Sequence, residues 1–352
     1  MKKTLFALVL FADFAFCVGL SVYSNGNERI PLTSKAWAVG NAMTANPEYA
    51  LGWYNPARLA FSSGLQFSVG DAIRKLDRNE SFFAGEYKIP QKRVGVSGIF
   101  SYKGIANLDS LRKDGVIYNS TSYISTTTKI GAGIAITGMW GVGVSGTWYY
   151  TKIPVRFNED AKSIETSSSG TIGGLSFMGT YVNPNGFSLG FGVRDIFSYN
   201  DWSYNETPNS SMIMTIIDTL PAVLVAGANY VFKYKNEKEI RFSGDFNGYL
   251  INSFFRKYEN VAVSINGGFE WRMNKIIVFR TGIRDILCNR NYFKDRPQWR
   301  LENNPRLGFG IGLNLESVVN WKIIKKFGVN YAVSNSGAEV GLEHVVDLIW
   351  KF

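Results

Sequence analysis

The chain has very few of the residues from which catalytic and metal sites are most often built. Its 352 residues include a single histidine, His344, which lies in the last predicted strand. A Ser-His-Asp arrangement needs a histidine beside a nucleophile, and a histidine-based metal centre needs more than one ligand of this kind. We therefore expect no enzyme activity, no metal site and no cofactor.

Cysteine is equally scarce, and its placement argues against disulfides. Of the two cysteines, Cys17 lies in the amino-terminal apolar run and Cys288 near the end of the chain. If Cys17 is removed with a leader, Cys288 has no partner within the mature chain. Phe16 occupies the position before Cys17 where a lipoprotein requires a small residue, so lipidation is not expected.

Long apolar runs are absent beyond the amino terminus. Lys2 and Lys3 precede an apolar run from Leu5 to Leu20, and a small-residue cleavage site follows. This pattern predicts a secretory signal peptide over residues 1–24. No second run of about 18 apolar residues follows, which excludes a helical membrane protein.

The charge of the chain does not indicate nucleic-acid binding. The formal net charge is +10 and the pI about 9.4, but lysine and arginine are dispersed and no RNP, zinc-finger or helix-turn-helix pattern is present. Mean hydropathy is −0.05 although 45% of the residues are hydrophobic. Such a balance is typical of a barrel whose strands alternate lipid-facing and lumen-facing residues.

The last thirteen residues show this alternation clearly. In the segment from Val340 to Phe352, apolar residues occupy nearly every second position, and polar residues mostly fill the positions between. A strand has a side-chain period of two, so one face is apolar and the other polar. A soluble sandwich could also end this way, but the aromatic end resembles the insertion signal of bacterial outer-membrane barrels. That signal would comprise Leu348, Trp350 and Phe352.

The same pattern recurs through the chain from Gly64 onward. About fourteen amphipathic runs are separated by turn-rich segments, and short and long connections alternate between them. Short links lie near Pro90, Gly138 and Met273, whereas long ones span residues 103–122, 152–169, 198–220, 251–259 and 287–304. Outer-membrane barrels have short periplasmic turns and long surface loops. We therefore predict an all-β fold, a transmembrane antiparallel β-barrel of about 14 strands over residues 63–352, with both termini in the periplasm. Small and polar residues on the inner faces predict a hydrated or plugged lumen.

One segment alternates poorly and carries a family resemblance. Between Lys35 and Phe61, small apolar residues predict short helices separated by turns at Asn46-Pro47 and Asn55-Pro56. The run from Asn55 through Pro56 and Ala57 to Phe61 resembles the amino-terminal plug of PorV/PorQ-type and FadL-like outer-membrane proteins, and Gly40 to Thr44 resembles it more loosely. The resemblance implies a plug, or hatch, over residues 25–62. The segment from Phe327 through Gly341 to His344 also looks like that family's closing hairpin.

This resemblance implies two alternative functions. A third function, that of an outer-membrane enzyme, does not depend on the resemblance. The leading expectation is a PorV/PorQ-like barrel in the bacterial outer membrane that docks cargo or assists type IX-like protein secretion. Its partners would be outer-membrane lipid, secretion-system subunits and secreted proteins. The alternative is a FadL-like channel for hydrophobic small molecules, with the plug gating the lumen. An outer-membrane enzyme lacks a nucleophile–base pair in the sequence.

A repeated hexapeptide marks a candidate site on the barrel rim. The segment from Gly192 to Phe197 contains Arg194 and Asp195, and the segment from Gly282 to Leu287 contains Arg284 and Asp285 at the same positions. By parity both arginines point inward near the outer mouth. They either stabilise the rim or form a basic ring for a ligand carboxylate or the plug, because arginine offers a bidentate fork.

An apolar run in a predicted surface loop marks a second candidate site. The loop from Trp202 to Leu220 contains Met212, Met214 and neighbouring isoleucines. Apolar residues in a surface loop are typical of a binding surface. An outward extension of the preceding strand explains the run equally well.

Overall fold

The computed structural model describes twelve segments of the chain. They are residues 31–46, 49–73, 78–111, 117–156, 165–205, 213–218, 222–234, 238–251, 260–293, 296–315, 326–335 and 341–352. The predicted signal peptide and Met212 lie outside these segments.

The chain folds into a closed antiparallel β-barrel of fourteen strands, as predicted. Each barrel strand pairs with its neighbours in sequence, and the ring closes where the first strand pairs with the last. The additional strand, β8, pairs only with the outer part of β7, so that β7 also pairs with β9. The strands are β1 Leu65–Ile73, β2 Arg78–Lys88, β3 Val94–Leu111, β4 Ile117–Ala135, β5 Trp140–Arg156, β6 Glu165–Val182, β7 Phe187–Asn205, β8 Ile213–Asp218, β9 Ala222–Lys233, β10 Glu239–Ile251, β11 Asn260–Arg272, β12 Ile277–Phe293, β13 Arg296–Asn314, β14 Lys326–Asn335 and β15 Leu342–Lys351.

The last strand has the two faces that its sequence predicts. Leu342 and Val346 are exposed on the outer face, whereas Asp347 and Val345 are fully buried on the inner face. Backbone pairing on both sides leaves β15 with no free edge. An unpaired edge in lipid would leave backbone N–H and C=O groups unsatisfied, which closure of the ring prevents.

Aromatic side chains lie on the outer face at the end of the barrel where the connections are short. Trp350 lies 5.8 Å from Phe327 between ring centroids, and Phe352 lies 6.0 Å from Phe67 in an edge arrangement. Similar pairs occur on other strands, for example Trp140 with Tyr181, Tyr230 with Phe232, and Trp271 with Phe279. Aromatic girdles of this kind mark the interface between hydrocarbon and water in transmembrane barrels.

No helix in the described part of the chain is long and apolar enough to cross a membrane.

The long connections differ from the prediction, because the strands continue into them. Strand β3 extends to Leu111 and β4 begins at Ile117, inside the segment predicted as a loop from residue 103 to 122. The apolar run after Met212 likewise forms β8, paired with Asn200–Asn205 of β7. Backbone pairing continues through these segments although their hydropathy does not alternate, so the sequence pattern does not mark them as strands.

A plug formed by three short helices lies inside the barrel. They are α1 Ser34–Ala38, α2 Leu51–Tyr54 and a 3₁₀ helix Pro56–Phe61. The side chain of Thr33 accepts a hydrogen bond at the start of α1, and that of Asn55 does so at the start of the 3₁₀ helix. Apolar plug residues pack together and against Phe82, Ala84 and Ile99 of the wall. The lumen is therefore plugged at this level.

Glycines of the wall make room for the plug backbone. A Cβ atom on Gly282 would overlap the backbone of Val39, and one on Gly308 would overlap the carbonyl of Trp37. Further inward-facing glycines meet the plug backbone in the same way: Gly133 at Pro56, Gly143 at Ala57, and Gly190 at Thr44. Glycine on the inner face therefore sets how closely the plug approaches the wall.

We expect Gly282→Ala to loosen the plug, because the new methyl group displaces the backbone at Val39. Overpacking of this kind costs about 1–3 kcal/mol. Proteolysis of the folded barrel, read at sites between residues 31 and 62, and the thermal unfolding midpoint measure the effect. The control is Gly98→Ala, where a Cβ atom meets nothing within 4 Å. Equal behaviour of the two variants would contradict the role of Gly282.

Candidate functional site

The Asn55-Pro56-Ala57 motif joins the two halves of the plug and touches the wall. The Oδ1 atom of Asn55 accepts a hydrogen bond from the N–H of Ala57 at 3.0 Å. Its Nδ2 atom donates to the carbonyl of Thr44 at 2.9 Å and to that of Gly179 at 3.4 Å. The motif therefore links the first half of the plug, residues 31–46, to its second half, residues 49–62, and to β6.

An apolar patch on the lumen wall lies beside this motif. It comprises Ala57 of the plug, Met178 of β6, Val223 and Val225 of β9, and Tyr249 of β10, all of them buried. Strand β7 crosses this patch with glycine at position 192, opposite both Met178 and Val225. No side chain of β7 separates those two residues. Most other buried inward residues of the described wall are polar, charged or glycine.

An apolar groove lies on the outside of the same part of the wall. It has a volume of about 710 Å³. Its lining includes outward-facing residues such as Trp140, Phe177 and Phe191. Met178 and Gly192 also line it, and Met178 belongs to the inner apolar patch as well. Apolar residues therefore lie on both sides of the wall where β6 meets β7.

Charged residues of β10, β11 and β12 hold the first half of the plug. The Oε1 atom of Glu270 lies 2.9 Å from Nζ of Lys35 and 3.0 Å from Nη1 of Arg241. Its Oε2 atom lies 2.9 Å from Nε of Arg280. Asn46 accepts hydrogen bonds from Lys35 and Arg241 as well. One buried carboxylate thus pairs with three buried cations, one of them on the plug.

Two more buried carboxylates bind plug backbone. Asp347 accepts hydrogen bonds from the N–H and the hydroxyl of Ser34, at 2.7 and 2.6 Å. Asp245 accepts from the N–H and the hydroxyl of Thr44, at 2.9 and 2.8 Å. The first half of the plug is therefore fastened to the wall at several points.

The second half of the plug has fewer polar anchors in the described structure. Glu86 accepts a hydrogen bond from the N–H of Gly52 at 3.1 Å, and Lys129 donates to the carbonyl of Trp53 at 2.9 Å. Arg58 is 3% exposed, and among the described residues nothing accepts a hydrogen bond from its Nε or Nη1. Burial, together with nearby Arg241, lowers the pKa of Arg58 to about 10, so it remains charged at neutral pH.

The two arginines predicted at the rim contact different partners. Arg284 is buried, with its guanidinium carbon 4.5 Å from the centroid of the Trp37 ring on the plug. Arg194 is half-buried and donates from Nη2 to Oδ1 of Asn247 at 3.0 Å. Arg284 thus meets the plug through a cation–π contact, whereas Arg194 bonds to the wall.

The two aspartates of the repeat form β-bulges. Asp195 and Asp285 have φ values of 59° and 61°, in the left-handed region that non-glycine residues seldom adopt. The pairing register shifts at both positions, as expected of bulges. Asp195 accepts a hydrogen bond from Tyr149 at 3.2 Å, and Asp285 lies 3.8 Å from Nε of Arg306. The repeated hexapeptide thus encodes the same distortion of the wall twice.

The residues of the predicted surface-loop site lie in the β7–β8 hairpin. Trp202 is paired with Ile216, and Met214 with Tyr204. Their position is compatible with a contact surface, and their role in binding stays a prediction. Of the insertion signal, Leu348 pairs with Val69 and Trp350 with Phe67 across the closing seam, and Phe352 donates its N–H to Leu65.

The apolar patch is the feature that sequence reasoning missed. A signal for it is present in β9, where Ala222-Val223-Leu224-Val225-Ala226 is apolar at every position rather than at every second one. A strand of this kind has apolar surroundings on both faces. Met178 and Tyr249 carry no comparable local signal, because only the closed ring brings them together.

Comparison with solved structures finds the same fold in two toluene transporters. The chain is similar to the Pseudomonas putida toluene transporter TodX, with a TM-score of 0.60 and 13% identity over 90% of this chain and 96% of that one. It is similar also to the Ralstonia pickettii toluene transporter TbuX, with a TM-score of 0.57 and 14% identity over 91% and 98%. No protein-family model and no curated protein sequence matches the chain. Identities this low establish the fold alone.

We expect Glu270→Gln to release the first half of the plug, because Lys35, Arg241 and Arg280 would lose their shared counter-charge. Removing one partner of a buried ion pair costs about 3–5 kcal/mol. The thermal unfolding midpoint and proteolysis within residues 31–46 report the loss.

The matched control is Glu239→Gln. Glu239 pairs with Arg241 and Arg272 at 3.3 Å, but its side chain is 17% exposed. We expect a loss below about 1 kcal/mol there, as for solvated ion pairs. If the Glu270→Gln variant is as stable as the Glu239→Gln control, the ion pairs of Glu270 with Lys35, Arg241 and Arg280 do not hold the plug.

Proposed function

We propose that the protein is an outer-membrane channel for hydrophobic small molecules, gated by its plug. The observation that carries this proposal is the row Met178–Gly192–Val225 beside Ala57. It offers apolar surface in a lumen whose described wall is otherwise mainly polar. Likeness of the fold to two toluene transporters supports the same interpretation.

Apolar contact surface decides where such a ligand would pass. A hydrophobic molecule gains about 25 cal/mol for each Å² of apolar area removed from water. It gains nothing comparable along the serine, threonine and charged residues of the other strands, whose hydrogen bonds it would disturb. Glycine at position 192 leaves room between Met178 and Val225. In this proposal the ligand enters from the outer mouth and moves along the apolar patch to the wall beside the groove.

The plug would open by movement of its second half. The first half is tied to Glu270, Asp347 and Asp245, whereas the second half has fewer polar anchors in the described structure, among them the hydroxyl of Tyr49 on Asp347. Ala50, near the start of the second half, has a left-handed conformation, with φ of 56°. A small change in the backbone dihedral angles of Ala50 would move the Asn55-Pro56-Ala57 motif away from the apolar patch. Asn55 would give up its bonds to Thr44 and Gly179 in doing so.

The proposed orientation places the short turns in the periplasm. The aromatic girdle at that end and the long hairpins at the other agree with the usual arrangement of outer-membrane barrels. Both termini then lie in the periplasm, and the β7–β8 hairpin faces the outside of the cell.

A role in protein secretion, the leading expectation from the sequence, has less support. TodX and TbuX, which share this fold, are toluene transporters, so their likeness favours the channel over a docking role. Purification from the native outer membrane in mild detergent distinguishes the two roles. Recovery of secretion subunits or large secreted proteins would favour docking, and recovery of the barrel with an apolar small molecule would favour the channel.

We expect Val225→Asp to abolish uptake of a hydrophobic probe, because it places a carboxylate in the apolar patch. Labelled toluene and a labelled long-chain alkane are suitable probes for cells that express the barrel. Uptake above that of barrel-free cells should fall at least about tenfold, equivalent to about 1.4 kcal/mol in the barrier.

Val225→Ile is the matched control, since it keeps the patch apolar. Heat-modifiable migration on gels checks that both variants assemble. If an assembled Val225→Asp barrel takes up the probe as the wild type does, the apolar patch is not part of the transport route. Absence of uptake by the wild-type barrel with every apolar probe would overturn the channel itself.

A further inference from the structure

Positive charge is concentrated at the end of the barrel that carries the short turns. Among the described residues at this end, Glu239 is the one acidic residue whose side chain is not fully buried. It forms ion pairs with both Arg241 and Arg272. The basic residues outnumber it clearly. They are Lys88, Lys92, Arg93, Lys233, Lys238, Arg272, Lys275 and Lys351.

Half of these cations directly follow an outward aromatic residue at the end of a strand. The four dipeptides are Tyr87-Lys88, Phe232-Lys233, Trp271-Arg272 and Trp350-Lys351. Successive residues of a strand point to opposite faces. Since the aromatic ring of each pair lies on the outer, lipid-facing surface, the following cation is directed toward the mouth of the barrel. We call Lys88, Lys233, Arg272 and Lys351 the mouth set.

The remaining cations lie in the turns themselves. Lys92 and Arg93 occupy the turn between β2 and β3, Lys238 precedes β10, and Lys275 lies between β11 and β12; all four are exposed. These positions are just beyond the aromatic girdle, at the depth of lipid headgroups. We call Lys92, Lys238 and Lys275 the turn set. It differs from the mouth set in lying in or beside the turns rather than at inward positions of the strand ends.

The other half of the barrel has a different charge balance. Among the described side chains there that are not fully buried, the acidic Asp71, Asp195 and Asp285 are matched by the basic Lys152, Arg194 and Arg306. Inside the plug, Arg58 adds a further positive charge behind the basic mouth. Charges of one sign around an opening sum to a potential that attracts an oppositely charged partner and speeds its encounter.

We propose that the short-turn mouth is a docking surface for an acidic patch on a soluble protein. Cations of the mouth set face away from the lipid, so headgroups of the surrounding bilayer do not explain them. A protein that covers the opening would meet them from below the plug. In the proposed orientation this partner is periplasmic, and the docking itself does not depend on which molecule the channel carries.

The test uses the barrel in nanodiscs of zwitterionic phospholipid and a labelled poly-glutamate peptide as the acidic probe. Fluorescence anisotropy measures its binding. We expect the wild-type barrel to bind the peptide, with affinity falling as salt screens the charges. Lys88→Glu with Lys233→Glu and Lys351→Glu should weaken binding at least about tenfold.

The matched control reverses the turn set, with Lys92→Glu, Lys238→Glu and Lys275→Glu. This variant carries the same change in net charge, and we expect it to weaken binding less than about threefold. Heat-modifiable migration confirms assembly of both. No binding by the wild-type barrel, normal binding by the mouth variant, or an equal loss in the two variants would overturn the proposal.

Nanodiscs that contain anionic phospholipid separate a protein partner from lipid headgroups. If the mouth set binds a soluble partner, the peptide still binds the wild-type barrel in these nanodiscs, and its binding to the mouth variant is still weakened. If anionic lipid abolishes peptide binding to the wild type, the cations contact headgroups and the proposal is overturned.

Discussion

Closure of the strand ring is the constraint on which the rest of this structure depends. In a bilayer every backbone N–H and C=O must find a partner within the protein, and the β1–β15 seam provides the last set. Its register also sorts the side chains. A slip of one residue would turn Asp347 toward lipid and Val346 toward the plug. The seam therefore makes the barrel continuous and places the carboxylate that binds Ser34.

The closed ring leaves an inner face that need not be apolar, and the chain uses it in two ways. Around β10 to β15, buried carboxylates and cations fasten the first half of the plug. Around β3 to β7, glycines let the second half approach the wall, and apolar residues of β6 and β9 lie next to it. One side of the lumen thus immobilises the plug, whereas the other offers space and apolar surface where the proposed route passes.

Most of the fold follows from local sequence, and most of the site does not. Alternation marked each barrel strand, and the short helices around Asn46-Pro47 and Asn55-Pro56 were expected from turn chemistry. The outer strand extensions were missed because hydropathy does not alternate along them. Glu270 and Arg280 face each other on neighbouring strands, but Lys35 lies far from both in sequence, so only the seating of the plug in the closed ring brings the three together. The same holds for Met178 beside Val225.

The motif that suggested a family could not by itself identify a function. Asn55 links the two halves of the plug, and Pro56 and Ala57 lie against glycines of β4 and β5. These contacts seat a plug in a barrel, which a secretion accessory and a hydrophobic channel need alike. Residues that would distinguish the two roles lie elsewhere, on β6, β7 and β9. A resemblance carried by plug-seating residues therefore predicts the architecture, while the chemistry of the lumen wall beside the plug decides what can pass.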